Sequence, residues 1–307
     1  MSEYPLGPRL LAGFGALATG LYFGAATPAT LLARGYPLTA WALVAVTAPL
    51  VALLIAVALF PGTAQIGLRR VSRIDLRDPG HVAALIVISG TMFFVLGYGS
   101  IVNGVYAYEH EILKGIAEPL TADDIFTGLI LNVLILVLPP LFYVSFTSDK
   151  GPARALEALG LRTQGAGRAM AIGAAAAFAV LVLIGIFSYA VSGLNVTVPE
   201  NERALEIARS VTVLGALGLA LGSSVSEEIF FRGFLQARVG YVGQAVLFAL
   251  AHLSYLNVLE IVVVFVLALV FGAIYRATGN LWAPIAGHFT FNLLMLLAGI
   301  YAPQAGT

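Results

Sequence analysis

The sequence contains no cysteine. That excludes disulfides, thiolate metal sites, iron–sulfur clusters, thiol catalysis and cysteine lipidation. Charge is almost as scarce: Asp, Glu, Lys and Arg make up 10% of the 307 residues, against about 25% in a soluble domain. The 16 basic and 16 acidic residues cancel, so no basic face recommends nucleic acid as a partner. Lysine occurs only at Lys114 and Lys150, which, with the richness in Ala and Gly, suggests a GC-rich prokaryotic genome. Asp is confined to positions 75, 78, 123, 124 and 149, all in hydrophilic connections, so a two-aspartate mechanism inside a membrane is excluded. What remains is 60% hydrophobic, with a mean hydropathy of +0.95. Neither a soluble globular domain nor a disordered chain has that composition.

The apolar residues fall in runs long enough to cross a bilayer, which takes about 20 residues as a helix. The runs predict an all-α, polytopic transmembrane bundle of about eight to nine spans, near 10–33, 40–60, 82–106, 125–146, 169–192, 211–236, 241–257, 258–275 and 281–300. Period-2 alternation is absent and the runs are too long for barrel strands. Pro49 and Pro139–Pro140 lie inside spans and predict kinks. Only Arg9 precedes the first run, which exceeds a signal-peptide core, so an uncleaved first span is expected.

Orientation follows from the basic residues. Arg69, Arg70, Arg73 and Arg77 share one connection, and Lys150, Arg154, Arg162 and Arg168 another; both are expected inside. The connections bearing Glu109, Glu111, Glu118, Asp123 and Asp124, and then Glu200, Glu202 and Glu206, are expected outside. Nine spans with the N-terminus inside and the C-terminus outside fit this pattern. Residues 62–80, 107–124, 148–168 and 193–210 are too short to fold as soluble domains, so any activity must reside among the helices.

An ionisable group inside a membrane costs about 2.5–3.5 kcal/mol on insertion scales, and marks a functional site by default. Such groups concentrate in the C-terminal third, in GSSVSEEIFFRGFLQ (222–236), AVLFALAH (245–252) and PIAGHFTFN (284–292). Glu228 and Arg232 are i and i+4 and can pair on one helix face, with Gln236 next on the stripe. Glu227 points about 100° away and is left without that partner. His252 lies about eleven residues into its expected span, about 16 Å deep. His288 and Asn292 are again i and i+4. His81 and His110, at span edges, need no functional reading, and Glu260 reads as a solvated span end. Gly218 and Gly222 form a GxxxG pair suited to helix packing.

A Glu–His pair can activate a water, and His with Asn can donate to a developing oxyanion. Together they describe a peptidase with no nucleophilic side chain. A zinc site built from two histidines and a glutamate is the competing chemistry, but HExxH is absent and no histidine pair stands at i, i+4. Ser223, Ser224 and Ser226 are candidate nucleophiles, yet GSSVS does not fit the GxSG pattern of rhomboid peptidases.

Three of these segments resemble one family. EEIFFR (Glu227–Arg232) is similar to the EExxxR motif, FALAH (Phe248–His252) to FxxxH, and HFTFN (His288–Asn292) to HxxxN/D, of the CAAX prenyl endopeptidase and bacteriocin-processing (Abi or CPBP) family, in the family's order. The resemblance covers roughly 165–300. It implies a metal-independent, glutamate-type intramembrane endopeptidase without cofactor, with Glu227 and His252 activating water and His288 and Asn292 holding the oxyanion. Glu228, Arg232 and Phe248 would support them. It divides the chain into N-terminal helices of unassigned role (1–164), a CAAX-protease-like core (165–300) and a short tail (301–307). Expected partners are the lipid bilayer and a membrane-associated or lipidated polypeptide. The expected location is a prokaryotic plasma membrane, with the site open to the cytoplasm. Two other readings keep the same residues: a non-catalytic relative with an immunity or scaffolding role, and a proton-coupled transporter.

Overall fold

A computed structural model describes residues 4–71, 74–114, 121–147, 154–192, 202–253 and 257–302. Arg73, Glu118, Lys150 and Glu200, which contribute to the orientation argument, lie outside these residues, as do 303–307 of the tail. Every element among the described residues is helical: α1 (Leu6–Leu21), α2 (Thr27–Ala33), α3 (Pro37–Leu59), α4 (Pro61–Val71), α5 (Pro79–Met92), α6 (Asn103–Lys114), α7 (Ala122–Thr147), α8 (Ala155–Ala158), α9 (Ala166–Ser192), α10 (Glu202–Ser210), α11 (Val213–Glu228), α12 (Gln236–Leu250), α13 (Val258–Thr278) and α14 (Trp282–Tyr301). Among the described residues, three π-helical stretches, Tyr22–Ala26, Phe93–Val102 and Ile229–Leu235, continue helices without breaking them. Eight helical segments of the described residues are long and apolar enough to cross a membrane, and the chain is an integral membrane protein. Helices α3 and α7 run through Pro49 and Pro139–Pro140.

The expected seventh span, 241–257, is not a span-length helix. After α11 and its π-helical continuation, the chain breaks at Gly240, with φ 80° and ψ 173°, a conformation essentially restricted to glycine. The helix then ends at Leu250, followed by a turn at Ala251–His252. Asn257 restarts helical structure by capping α13, its Oδ1 accepting from the amides of Leu259 (3.0 Å) and Glu260 (3.2 Å).

The chain forms two compact units. One comprises residues 1–117, 138–158 and 250–256. Its core centres on Leu43, Phe93 and Val102. Glu109, expected in an outer loop, is instead 6% exposed. Its carboxylate accepts from the amides of Leu38 and Thr39, both at 2.9 Å, and from the Thr39 hydroxyl at 2.6 Å. It thus caps α3, whose first amides have no helical acceptor. His81 and His110 are structural here: His81 bridges the Asp75 amide and the Phe146 carbonyl, and His110 meets the Tyr36 hydroxyl.

The other unit comprises residues 118–137, 159–249 and 257–307, and holds Glu227, Glu228, Arg232, Phe248, His288 and Asn292. Helices α9 and α14 approach backbone to backbone. A Cβ on Gly173 would collide with the Ala283 carbonyl, and one on Gly287 would sit 2.9 Å from both the Gly173 carbonyl oxygen and the Phe271 ring. Beside this contact, Ala177, Leu267, Phe271 and Phe291 form a core. The close-packing stripe on α11 is not Gly218–Gly222. Gly215 and Gly222 pack on Phe126 and Leu129, whereas nothing lies within 4 Å of a Cβ on Gly218. Around the Gly240 break, three side chains grip α13: Gln236 donates to the Gly272 carbonyl (3.0 Å), Tyr241 to Leu269 (2.8 Å) and Gln244 to Ala268 (3.0 Å). The turn before α14 is tied to the 159–164 segment: Leu281 N–H donates to the Gly160 carbonyl, and the Asn280 amide to those of Arg162 and Gln164.

Candidate active site

Helices α11 and α14 run side by side in opposite directions and bring two i, i+4 pairs face to face. Ser223 and Glu227 lie on one helix, Asn292 and His288 on the other. Asn292 Nδ2 donates to Ser223 Oγ at 3.3 Å. One turn away, His288 Nε2 stands 4.0 Å from Glu227 Oε2. Ser223, Glu227 and Asn292 are half-buried and His288 is buried.

Behind this face the charges are fully enclosed. Glu228 and Arg232 have no exposed side-chain surface and meet at 2.8 Å through Oε1 and Nη1. The same Glu228 oxygen lies 2.8 Å from His288 Nδ1. That contact places a proton on Nδ1 and leaves Nε2 as the ring nitrogen facing Glu227. Arg232 lies in the π-helical stretch, all seven residues of which are buried; such stretches recur at functional sites. Its guanidinium sits over the Phe248 ring at 4.4 Å, a position that offsets part of the cost of desolvating it. Phe248 also meets His288 edge-on at 5.9 Å, and Phe271 lies nearly parallel to the imidazole at 5.7 Å. The imidazole is thus fixed by rings on two sides and by a carboxylate at Nδ1.

Glu227 is placed differently from its neighbour. Its Oε2 is buried and accepts no hydrogen bond among the described residues, as is also true of Glu228 Oε2, but the Glu227 side chain keeps 14% of its surface exposed where that of Glu228 keeps none. The three serines are not set up as nucleophiles. Each hydroxyl donates to the carbonyl four residues earlier: Ser223 to Leu219 (2.8 Å), Ser224 to Ala220 (2.6 Å) and Ser226 to Gly222 (2.8 Å). No three His, Asp or Glu side chains among the described residues are grouped as a metal site requires. Glu260 sits in the first turn of α13, a favourable place for an acid.

His252 occupies a different setting from the expected one. It is half-buried in the turn after Leu250, in the first unit, rather than deep within a helix. The expected setting assumed helix through His252, whereas the helix ends at Leu250 and Asn257 caps the start of α13. One member of the site has no sequence signal of its own: Phe271 is one apolar residue in an apolar helix; Ser223 drew notice in the sequence only as a candidate nucleophile and lies outside the three motifs.

Residues 209–294 match the family described as type II CAAX prenyl endopeptidase, Rce1-like. All three motifs fall within that stretch, which is narrower than the 165–300 anticipated from them. The chain is also 36% identical over 75 residues to the uncharacterized protein YpbD of Bacillus subtilis (strain 168). That alignment spans 24% of this chain and 40% of the relative. No solved structure gives a significant match. The C-terminal region is therefore similar to a protease family, and the resemblance carried by the three motifs holds.

Proposed function

We propose that this protein is a glutamate-type intramembrane endopeptidase that needs no metal or cofactor and acts on a membrane-associated or lipidated polypeptide. The observation that carries the reading is the contrast between two adjacent carboxylates. Glu228 is committed to Arg232 and His288, each at 2.8 Å, with no exposed side-chain surface, while Glu227 keeps 14% of its side chain exposed and approaches His288 only to 4.0 Å. Glu227 takes a proton from water as the water oxygen attacks the scissile carbonyl. The carbonyl electrons move onto oxygen, where His288 Nε2–H and an Asn292 N–H stabilise the charge. For this role His288 carries a proton on both nitrogens. The formal charges of Glu227, Glu228, Arg232 and this imidazolium then cancel, as a low-dielectric site favours. Collapse of the adduct breaks the C–N bond, and the proton held by Glu227 passes to the leaving amine.

We place the site on the cytoplasmic side of a prokaryotic plasma membrane. The turn before α14 is bonded to the segment carrying Arg162, which belongs to a basic connection expected inside. His288 follows that turn by about two helical turns, so substrate would enter from that side with its cleavage site unwound.

The test compares new protein N-termini in membranes of cells making this protein or its Glu227→Gln form. Termini present only with the parent support the peptidase reading and identify a substrate. Identical sets would instead support a non-catalytic role.

A further inference from the structure

We infer that Ser223 is a positioning residue that sets which way the Asn292 amide faces, and so aims an N–H at the oxyanion. This rests on the peptidase reading above. An Asn side chain has two nearly isosteric orientations, and only a neighbour with a fixed hydrogen-bonding sense can choose between them. Ser223 has such a sense. Its single proton is used on the Leu219 carbonyl at 2.8 Å, so its oxygen offers only lone pairs. Asn292 must therefore turn Nδ2 toward Ser223, as it does at 3.3 Å; the flipped amide would set carbonyl oxygen against hydroxyl oxygen. Nδ2 carries a second N–H, which has no other partner among the described residues. That N–H is the one held ready for the oxyanion.

The placement agrees with this role. Ser223 lies one turn before Glu227, and Asn292 one turn after His288, on adjacent antiparallel helices. The Ser223–Asn292 bond is thus a second rung beside the Glu227–His288 approach at 4.0 Å. A serine serves only because its helix supplies the acceptor four residues back. A threonine can make the same bond, whereas an alanine cannot.

The experiment uses the full chain reconstituted in vesicles, and a peptide spanning a bond whose cleavage in cells depends on Glu227. Removing one oxyanion donor outright lowers kcat about 10²–10³-fold; misorienting it in part of the population should lower kcat about tenfold. Ser223→Ala is expected to give that loss with KM within about twofold, Ser223→Thr to restore the rate, and Ser223→Ala to cost nothing further in an Asn292→Ala background. The chain has seven asparagines, so selective ¹⁵N labelling resolves the Asn292 side-chain amide. Ser223→Ala should shift its two proton signals, and Ser223→Thr should leave them near their original positions. Glu227-dependent cleavage that is undiminished in Ser223→Ala, or equally reduced with and without Asn292, overturns this assignment alone. Absence of any Glu227-dependent product overturns the peptidase reading and this inference with it.

Discussion

Glu228 Oε1 lies 2.8 Å from His288 Nδ1, joining α11 to α14 through a carboxylate that also meets Arg232 at 2.8 Å. One oxygen thus serves two purposes, neutralising a buried guanidinium and orienting an imidazole. The two can be separated by mutation.

Arg232→Ala strips the counter-charge from a fully buried Glu228 and is expected to destabilise by about 3–5 kcal/mol, read as a lower thermal midpoint in detergent. The paired replacement Glu228→Leu with Arg232→Met removes both charges and should recover most of that stability. It should not recover turnover, because His288 has lost the carboxylate that orients its ring and balances its charge. Full activity in the double variant would show that His288 needs no such support.

Gly173→Ala tests the contact that sets the position of α14. The added methyl meets the Ala283 carbonyl, a backbone atom that cannot swing aside. Overpacking of this kind costs about 1–3 kcal/mol, and the displaced helix carries both His288 and Asn292. Activity per folded molecule should therefore fall as well. Unchanged stability and activity would mean that the two helices lie farther apart than described.

Metal dependence separates the proposed chemistry from its zinc competitor. Turnover by purified protein should survive prolonged chelation, and elemental analysis should find no stoichiometric zinc. Loss of activity on chelation with recovery on adding zinc would assign Glu227 and His288 as ligands instead.

Access is tested by introducing single cysteines into this cysteine-free chain. Val239, next to the Gly240 break, is 43% exposed, and Ala286 is half-buried two residues before His288. An impermeant thiol reagent should label both faster in inside-out vesicles than in intact cells. The opposite preference would move the site to the outer half of the membrane.

The helices were legible because composition and run length alone dictate them. The pairing of Glu228 with Arg232, and the alignment of His288 with Asn292, followed from i, i+4 spacing. Three features were not legible. Gly240 breaks the chain through a backbone angle, and a glycine in sequence does not announce its φ. The helix end at Leu250 depends on where α13 must start, so an apolar run did not reveal that His252 falls in a turn. Glu109 reads as an outer-loop acid until the first amides of α3, seventy residues earlier, are seen to need an acceptor. Likewise, the serine run suggested nucleophiles, whereas intrahelical bonds direct each hydroxyl proton to a backbone carbonyl.

The central claim is that Glu227 is the base that activates water. Its most direct test is the cleavage rate of the reconstituted parent and its Glu227→Gln variant, measured on the same peptide in the same vesicles, with thermal midpoints recorded for both. General-base catalysis contributes about 10²–10⁴-fold. A loss in that range with an unchanged midpoint is the predicted result. A Glu227→Gln variant that cleaves within a few-fold of the parent would contradict the account.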